Sequence, residues 1–254
     1  MDIFAENYDL MVGADYDDIV SYINCAIKKY KPDSELVCDL GCGTGTVALS
    51  LSKLGYDMIA IDSSEDMLIK AREKAENLSD TKTMFLCQDI VDFELYGTVD
   101  VIYSTLDTIN YILDKRDLNT LFKWVRNYLN YDGLFIFDIN SEYKFENVLK
   151  DKSFIYDFDD MFCTWETEKC SKNRYDHYLT YFVREDDARY SRYENVQQQR
   201  YYSKTEIEDL CRKYNFDIIV VNDNYKDKLL CKKTERYTYI LKTNKKCLDN
   251  IETV

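Results

Sequence analysis

The sequence predicts an α/β fold built on a doubly wound, mostly parallel sheet. Three observations predict it. Short apolar runs alternate with helical stretches from Leu36 to Asp138, the rhythm of right-handed βαβ units. The first run meets a glycine cluster, Gly41-Cys42-Gly43-Thr44-Gly45, just before a helix, the context in which a glycine loop carries meaning. Three acidic residues, Asp39, Asp62 and Asp89, fall at the ends of three successive strands, where open sheets of this kind bind ligands.

The elements follow in order. Ile19, Tyr22, Ile23, Ala26, Ile27 and Tyr30 recur at three- and four-residue steps, so the first thirty residues end in an amphipathic helix, stopped by Pro32. Leu36–Leu40 reads as a buried parallel strand. A helix over 45–53 closes at Gly55. Asp57–Asp62 is the second strand. Ser64 caps the next helix, with Glu65 and Asp66 early and Lys70, Arg72 and Lys74 late, as the helix dipole favours. Thr83–Cys87 and Val99–Ser104 are the third and fourth strands. A helix over 118–129, a turn at Asp132-Gly133 and a fifth strand over 134–138 complete the run. From 154 to 202 the chain is rich in Tyr, Phe, Trp and alternating charge, with a strand over 178–183. This stretch is expected to be an antiparallel insertion over the end of the sheet. A helix over 205–214 and strands over 217–221 and 237–241 return to the core. The expected organisation is a core over 1–150 with an N-terminal cap helix, a substrate lobe over 151–202, and a return to the core sheet over 203–254.

Composition narrows the function. The net charge of −14 repels phosphate backbones and anionic membranes, so nucleic acid is disfavoured as a partner. No run approaches the ~18 apolar residues of a membrane span, and the acidic start Met1-Asp2-Ile3-Phe4-Ala5-Glu6 lacks a signal peptide's basic region. A cytoplasmic protein is expected. The nine cysteines include no Cys-x-x-Cys pair, and His177 is the one histidine, so no metal site is expected and the thiols read as reduced. The oligomeric state is not legible.

The glycine loop is the central signal. A dinucleotide fingerprint places its third glycine at position 46; here that residue is Thr46. Asp39 stands two places before the first glycine. A carboxylate there disfavours a pyrophosphate, which such loops otherwise bind through backbone N–H groups. It favours a cationic ammonium or sulfonium. Asp62, 21 residues after Gly41, is placed to accept from ribose hydroxyls. Asp89 is placed to accept from an adenine amino group with Ile90 against the ring, or is an ordinary loop aspartate.

On Asp39-Leu40-Gly41-Cys42-Gly43-Thr44-Gly45, Asp62-Ser63-Ser64-Glu65-Asp66-Met67-Leu68 and Gln88-Asp89-Ile90, the chain resembles the class I S-adenosylmethionine-dependent methyltransferases of the small-molecule type. The resemblance implies a Rossmann-like seven-stranded sheet of order 3-2-1-4-5-7-6 with an antiparallel last strand. It implies S-adenosylmethionine as cofactor, touched by Gly41 and Gly43, with Asp39 orienting its amino-acid end. Asp62 would hold the ribose, Met67 would pack on the adenine, and Asp89 would read the adenine amine. Cys42, Ser63, Gln88, Ile90 and Thr105 would complete the cofactor shell. Phe4-Ala5-Glu6-Asn7-Tyr8-Asp9-Leu10-Met11 resembles the segment that caps the cofactor. Tyr8 is there the aromatic nearest the sulfonium, or it packs the first helix.

Methyl transfer from a sulfonium is an in-line displacement in which alignment supplies roughly 7–11 kcal/mol, so the absence of a catalytic cluster in the sequence does not argue against an enzyme. The fourth strand runs into Ser104-Thr105-Leu106-Asp107-Thr108-Ile109-Asn110-Tyr111. It lacks the Asn/Asp-Pro-Pro-Tyr/Phe motif of base-methylating relatives. Asp107, Asn110 and Tyr111 either face the cofactor and substrate or cap the following turn. The insertion offers Trp165, Glu166, His177, Tyr178, Tyr181 and Arg200. His177 is either a base or a surface residue after Asp176. Members of the family often carry His-x-Gln-Arg-x-Tyr before the late helix; here Gln197 stands at the His position, followed by Gln198, Gln199, Arg200, Tyr201 and Tyr202. Arg200 either faces the pocket or pairs with acidic neighbours. The expected function is methyl transfer to a nitrogen or oxygen of a small-molecule acceptor. A non-catalytic cofactor-binding module and a protein or RNA methyltransferase stay open as alternatives; a nicotinamide-dependent oxidoreductase is disfavoured by Thr46.

Overall fold

Leu36–Leu40 (β1) buries four of its five residues, as a strand covered on both faces must. The computed structural model that shows this describes residues 3–78, 81–185 and 189–244. Ahead of β1 come α1 (Ile3–Val12) and α2 (Tyr16–Tyr30). Asp15 caps α2 by accepting from the Asp18 N–H, and Ile19, Ile23, Ala26 and Ile27 are its buried face. The core continues with α3 (Thr46–Lys53), β2 (Asp57–Asp62), α4 (Glu65–Glu76), β3 (Thr83–Cys87), β4 (Val99–Ser104), α5 (Lys115–Tyr128) and β5 (Leu129–Asn140). After a π-helical turn, Lys144–Leu149, come β6 (Lys152–Phe158), β7 (Met161–Lys169), β8 (Arg174–Arg184) and β9 (Tyr190–Arg200). The chain then returns through α6 (Lys204–Lys213), β10 (Phe216–Asp223) and β11 (Arg236–Thr243). Ser203 and Glu206 close a capping box on α6.

The main sheet has seven strands in the order β3-β2-β1-β4-β5-β11-β10, the order expected. Neighbours from β3 to β5 pair in parallel, and β11 runs antiparallel to both β5 and β10. One apolar layer joins this sheet to α5 and α6 through Phe122, Val125, Phe135, Ile207 and others. A second joins its other face to α2 and α3 through Ile23, Ile27, Ala48 and Leu51.

One local expectation is corrected. Asp132-Gly133 is not a turn ahead of the fifth strand but lies within β5. Val99 pairs with Leu129 while Val101 pairs with Leu134. The extra residues bulge out of the ladder, with Asp132 at φ +66.

The segment from Lys152 to Arg200 forms a separate four-stranded sheet, β6-β7-β8-β9, antiparallel throughout. Its inner face carries Cys163, Leu179 and Tyr181, packed against Phe4 and Met11 of α1. Its last strand is tied to the ends of β4 and β5. Asn110 Nδ2 donates to the Arg200 carbonyl at 2.7 Å, and Asn140 Nδ2 donates to Gln199 Oε1 at 3.2 Å. A space is thereby enclosed between the second sheet and the C-terminal edge of the first. No helix among the described residues is long and apolar enough to cross a membrane. The eight described cysteines are all free thiols.

Candidate functional site

The glycine loop turns tightly because its glycines adopt a left-handed backbone, with φ +53 at Gly43 and +73 at Gly45. A Cβ at Gly45 would lie 2.9 Å from Ala71 Cβ, so α4 packs on the loop only because position 45 has none. At Gly43 the space a side chain would fill is faced by the Tyr8 ring, 3.6 Å from such a Cβ. Asp62, at the end of β2, clamps the loop. Its carboxylate accepts from the Gly43 N–H at 2.8 Å and the Ser64 N–H at 2.9 Å. Burial raises its pKa against these bonds.

Asp39 is 1% exposed. Its Oδ2 accepts from the Tyr103 hydroxyl at 2.8 Å; its Oδ1 is buried with no partner. Burial, reinforced by the nearby charge of Asp62, pushes the carboxyl up to about 8. Asp39 lines a small pocket with Tyr8, Gly41, Cys42 and Thr105, and Asp62 holds the loop through the Gly43 N–H. A buried oxygen lacking a donor is costly, and a cation arriving there would satisfy it.

Helix α1 straps over the loop. Asp9 accepts from Thr44 Oγ1 at 2.8 Å and from the Tyr16 hydroxyl at 3.0 Å, and pairs with Lys74 at 2.5 Å. Burial opposes ionisation of Asp9, but the Lys74 and Thr44 hydrogen bonds prevail and hold its carboxyl below the usual range. This latch sets Tyr8 between the loop and the enclosed space. Burial, then the neighbouring Tyr111, Tyr16 and Asp107, raise the Tyr8 hydroxyl well above its ordinary value.

The remaining expected cofactor residues cluster where β2 and β3 end side by side, with Asp62 in register with Cys87. Ser63 is exposed and Met67 is buried in the first turn of α4. The Gln88 N–H donates to the Asp62 carbonyl at 3.1 Å. Asp89 is exposed and its Oδ1 accepts from the Val91 N–H at 3.0 Å, so it closes a turn of its own. Ile90 packs against the core.

Beyond Tyr8 lies a cavity of about 720 Å³. Tyr8, Asp107, Tyr111, Lys144, Trp165 and His177 are among its walls. Asp107 does not cap the turn that follows it, since its side chain makes no capping bond. Instead its Oδ1 accepts from Arg236 Nη2 at 2.6 Å and its Oδ2 from Gln199 Nε2 at 2.6 Å. Burial would raise Asp107, but Arg236 and then Lys144 outweigh it and hold the carboxyl low. Arg236 also pairs with Asp138, which accepts from the Tyr225 hydroxyl. Asn110 is fully buried and structural, its Oδ1 accepting from the Asn140 N–H at 2.8 Å. The Tyr111 hydroxyl donates to Gln197 Oε1 at 2.9 Å.

The open readings of two of the insertion's candidates can be set against their surroundings. His177 is not a surface histidine: it is 2% exposed, because β8 alternates and places Tyr175, His177, Leu179 and Tyr181 inward. Its Nδ1 meets Trp165 Nε1 at 3.2 Å and Thr167 Oγ1 at 2.9 Å, and its Nε2 is buried without a partner. Burial lowers its pKa. Arg200 does not line the cavity. Its guanidinium donates to the Leu113 carbonyl at 3.0 Å, approaches Glu206 at 3.6 Å and stacks on Tyr202, which is the reading in which it pairs with an acidic neighbour. Glu166 is exposed and bonded to Ser153, and Tyr178 is likewise on the outer face. Lys144, Gln199, Tyr225 and Arg236 went unnoticed as pocket residues. Only Gln199 had a signal, its place in the Gln197–Tyr202 stretch.

The chain's own residues suit S-adenosylmethionine. The orphaned Asp39 oxygen calls for a cation, and Asp39 lines one small pocket with Gly41 and Cys42 of the glycine loop. A family profile described as a methyltransferase domain matches residues 37–133. The protein named "Putative methyltransferase YqeM" of Bacillus subtilis (strain 168) is 30% identical over 227 residues, covering 88% of this chain and 89% of its own. The crystal structure of a S-adenosylmethionine-dependent methyltransferase from Clostridium acetobutylicum ATCC 824 superposes with a TM-score of 0.87 at 33% identity, covering 95% of this chain and 98% of its own. The sugar N-methyltransferase KedS8 from Streptoalloteichus sp ATCC 53650 shares the fold, with a TM-score of 0.76 at 15% identity, covering 94% of this chain and 93% of its own. Identity of 30% or more sustained along nearly the whole chain, on a shared fold, makes this protein a member of the class I S-adenosylmethionine-dependent methyltransferases.

Proposed function

We propose that the protein methylates a nitrogen or oxygen of a small molecule held in the cavity beside Tyr8. The observation that carries this reading is the cavity itself. At about 720 Å³ it falls within the range of small-molecule sites, and its walls come from the second sheet, α1 and the strand ends of the main sheet. The acidic net charge of −14 argues in the same direction against nucleic acid. KedS8, whose title names it a sugar N-methyltransferase, shares the fold, which puts amines first among the acceptors to be tried.

In this reading Asp39 takes the ammonium of the cofactor's amino-acid end, Asp62 its ribose hydroxyls, and Gly41, Cys42, Gly43 and Thr105 border it. Met67, Gln88, Asp89 and Ile90 form the adenine end. S-adenosylmethionine supplies, when bound, an activated methyl group on a positively charged sulfur. Tyr8 faces that charge with its ring, a contact worth roughly 0.5–2 kcal/mol. Asp107, held by Arg236 and Gln199, fixes the acceptor side of the cavity rather than abstracting a proton. The second sheet and α1 pack together over the space between. The cytoplasmic setting expected from the sequence belongs to the same proposal.

Calorimetric titration with S-adenosylhomocysteine, NAD run alongside, tests the cofactor half. Transfer of labelled methyl to a panel of small amines and alcohols, with protein and RNA included, tests the acceptor half. Small-molecule turnover is expected. Label appearing only in protein or RNA would remove the small-molecule reading and leave the cofactor assignment standing.

A further inference from the structure

We propose that Lys144 is the proton acceptor of this cavity, the side chain that relieves an incoming nucleophile of its proton. The inference rests on the small-molecule reading above and deepens it. The other candidates that the sequence nominates on this wall, Asp107, Tyr111, Tyr8 and His177, are each less suited. Both oxygens of Asp107 accept from Gln199 and Arg236, and the carboxyl is held low. The Tyr111 hydroxyl donates to Gln197, and burial raises both Tyr111 and Tyr8, so each phenol keeps its proton at neutral pH. His177 is excluded by its tautomer. An indole N–H can only donate, so the Trp165 contact makes His177 Nδ1 an acceptor. The neutral ring then carries its proton on Nε2 and has no lone pair left for a substrate.

Lys144 differs in each respect. It opens the π-helical turn just past β5 and lines the cavity. Its Nζ donates to Asn140 Oδ1 at 2.9 Å, while an ammonium has three N–H groups to place. The charged groups facing it are Arg236 at the start of β11 and Glu235 just before it, Asp107 beyond β4, Asp138 on β5 and His177 on β8. Burial, then the positive charge of Arg236, lower Lys144 to about 8 against the pull of Asp107 and Asp138. A substantial fraction is therefore neutral amine at slightly alkaline pH.

The step balances without a further reactant. An acceptor entering as an ammonium gives one proton to the Lys144 amine, which becomes the ammonium, and keeps the freed lone pair for the methyl carbon; the methyl–sulfur bond would break with its electron pair left on sulfur, so that neutral S-adenosylhomocysteine is the leaving group. A hydroxyl acceptor passes its O–H proton the same way. Lys144 then returns the proton to solvent.

Two variants separate this role from a structural one. Lys144→Arg keeps the positive charge and the donors but cannot lose a proton; Lys144→Met removes both. The lysines of the protein saturated with S-adenosylhomocysteine are acetylated with acetic anhydride across roughly pH 6 to 10 and read by mass spectrometry. In parallel, turnover of the acceptor panel is followed against pH in the wild type and both variants, with cofactor affinity as the check on folding. Lys144 is expected to label with a midpoint near its value of about 8. Both variants are expected to lose about 10²–10⁴-fold in kcat and the rise of rate through that pH, with cofactor affinity kept. A labelling midpoint at the ordinary ~10.4 overturns the inference alone, as does a Lys144→Arg variant that keeps the wild-type rate and profile. No turnover of any small acceptor by the wild type overturns the small-molecule reading, and this inference falls with it whatever the labelling shows.

Discussion

Asp39→Asn should stabilise the unliganded protein, by a margin that grows with pH, while loosening its hold on the cofactor. Asp39 titrates near 3.8 in an unfolded chain and at about 8 in the fold, where burial opposes its charge. Between those values the folded protein holds a proton that the unfolded chain has released. The unfavourable contribution is therefore absent below the lower value, grows by about 1.4 kcal/mol per pH unit through the window, and levels off above the upper one. Two pH units inside the window amount to about 3 kcal/mol, or roughly 6–12 °C in Tm for a chain of this size. Asn keeps the shape and can still accept from Tyr103, but it does not titrate. The difference in Tm between variant and wild type, measured by circular dichroism from about pH 5 to 8, isolates this group from the other carboxylates, which both proteins share. The opposite holds with ligand present. A cation at Asp39 favours the ionised carboxylate, so removing that charge should weaken S-adenosylhomocysteine by ~1.5–3 kcal/mol, about 10–150-fold. A Tm difference that stays constant with pH would refute the buried-proton argument. Unchanged calorimetric affinity would refute the assignment of Asp39 to the cofactor's ammonium.

Three further outcomes are expected. Asp62→Ala, which frees the Gly43 and Ser64 N–H groups as well as the ribose position, should weaken S-adenosylhomocysteine about 10–150-fold; a folded variant of unchanged affinity sinks the ribose role. Tyr8→Ala should weaken S-adenosylmethionine more than S-adenosylhomocysteine, by about 2–30-fold, because only the former carries the sulfonium charge; equal losses for the two would show that Tyr8 merely packs. Arg236→Met should destabilise the protein by about 3–5 kcal/mol in chemical denaturation, since it strands Asp107 and Asp138 in the interior. Adding Asp138→Asn to that variant should restore part of the loss, and no restoration would mean that the stranded charge is not the cause.

What the sequence shows and what it hides divide along the distance over which each feature is determined. The glycine loop is legible because Gly41, Gly43 and Gly45 lie within one turn of chain and the strand before them and the helix after them are equally local. The strand order 3-2-1-4-5-7-6 follows from the family resemblance rather than from the strands, whose apolar runs do not say which neighbour they take. Asp132-Gly133 reads as a turn because a bulge with a left-handed aspartate uses the same residues as a turn. His177 is an intermediate case: Asp176 beside it suggests a surface, whereas extending the strand's alternation back from Tyr181 through Leu179 turns it inward. The chemistry of the cavity is the hidden part. Asp107 is nominated by its place after β4, but its character is decided by Arg236, 129 residues further along, and by Gln199, 92 residues along. Ranking candidate bases by residue type selects Asp107 or His177. The fold disqualifies both through what it packs against them, an arginine on one and an indole N–H on the other, and leaves the proton to a lysine whose place on the cavity wall no local pattern announces.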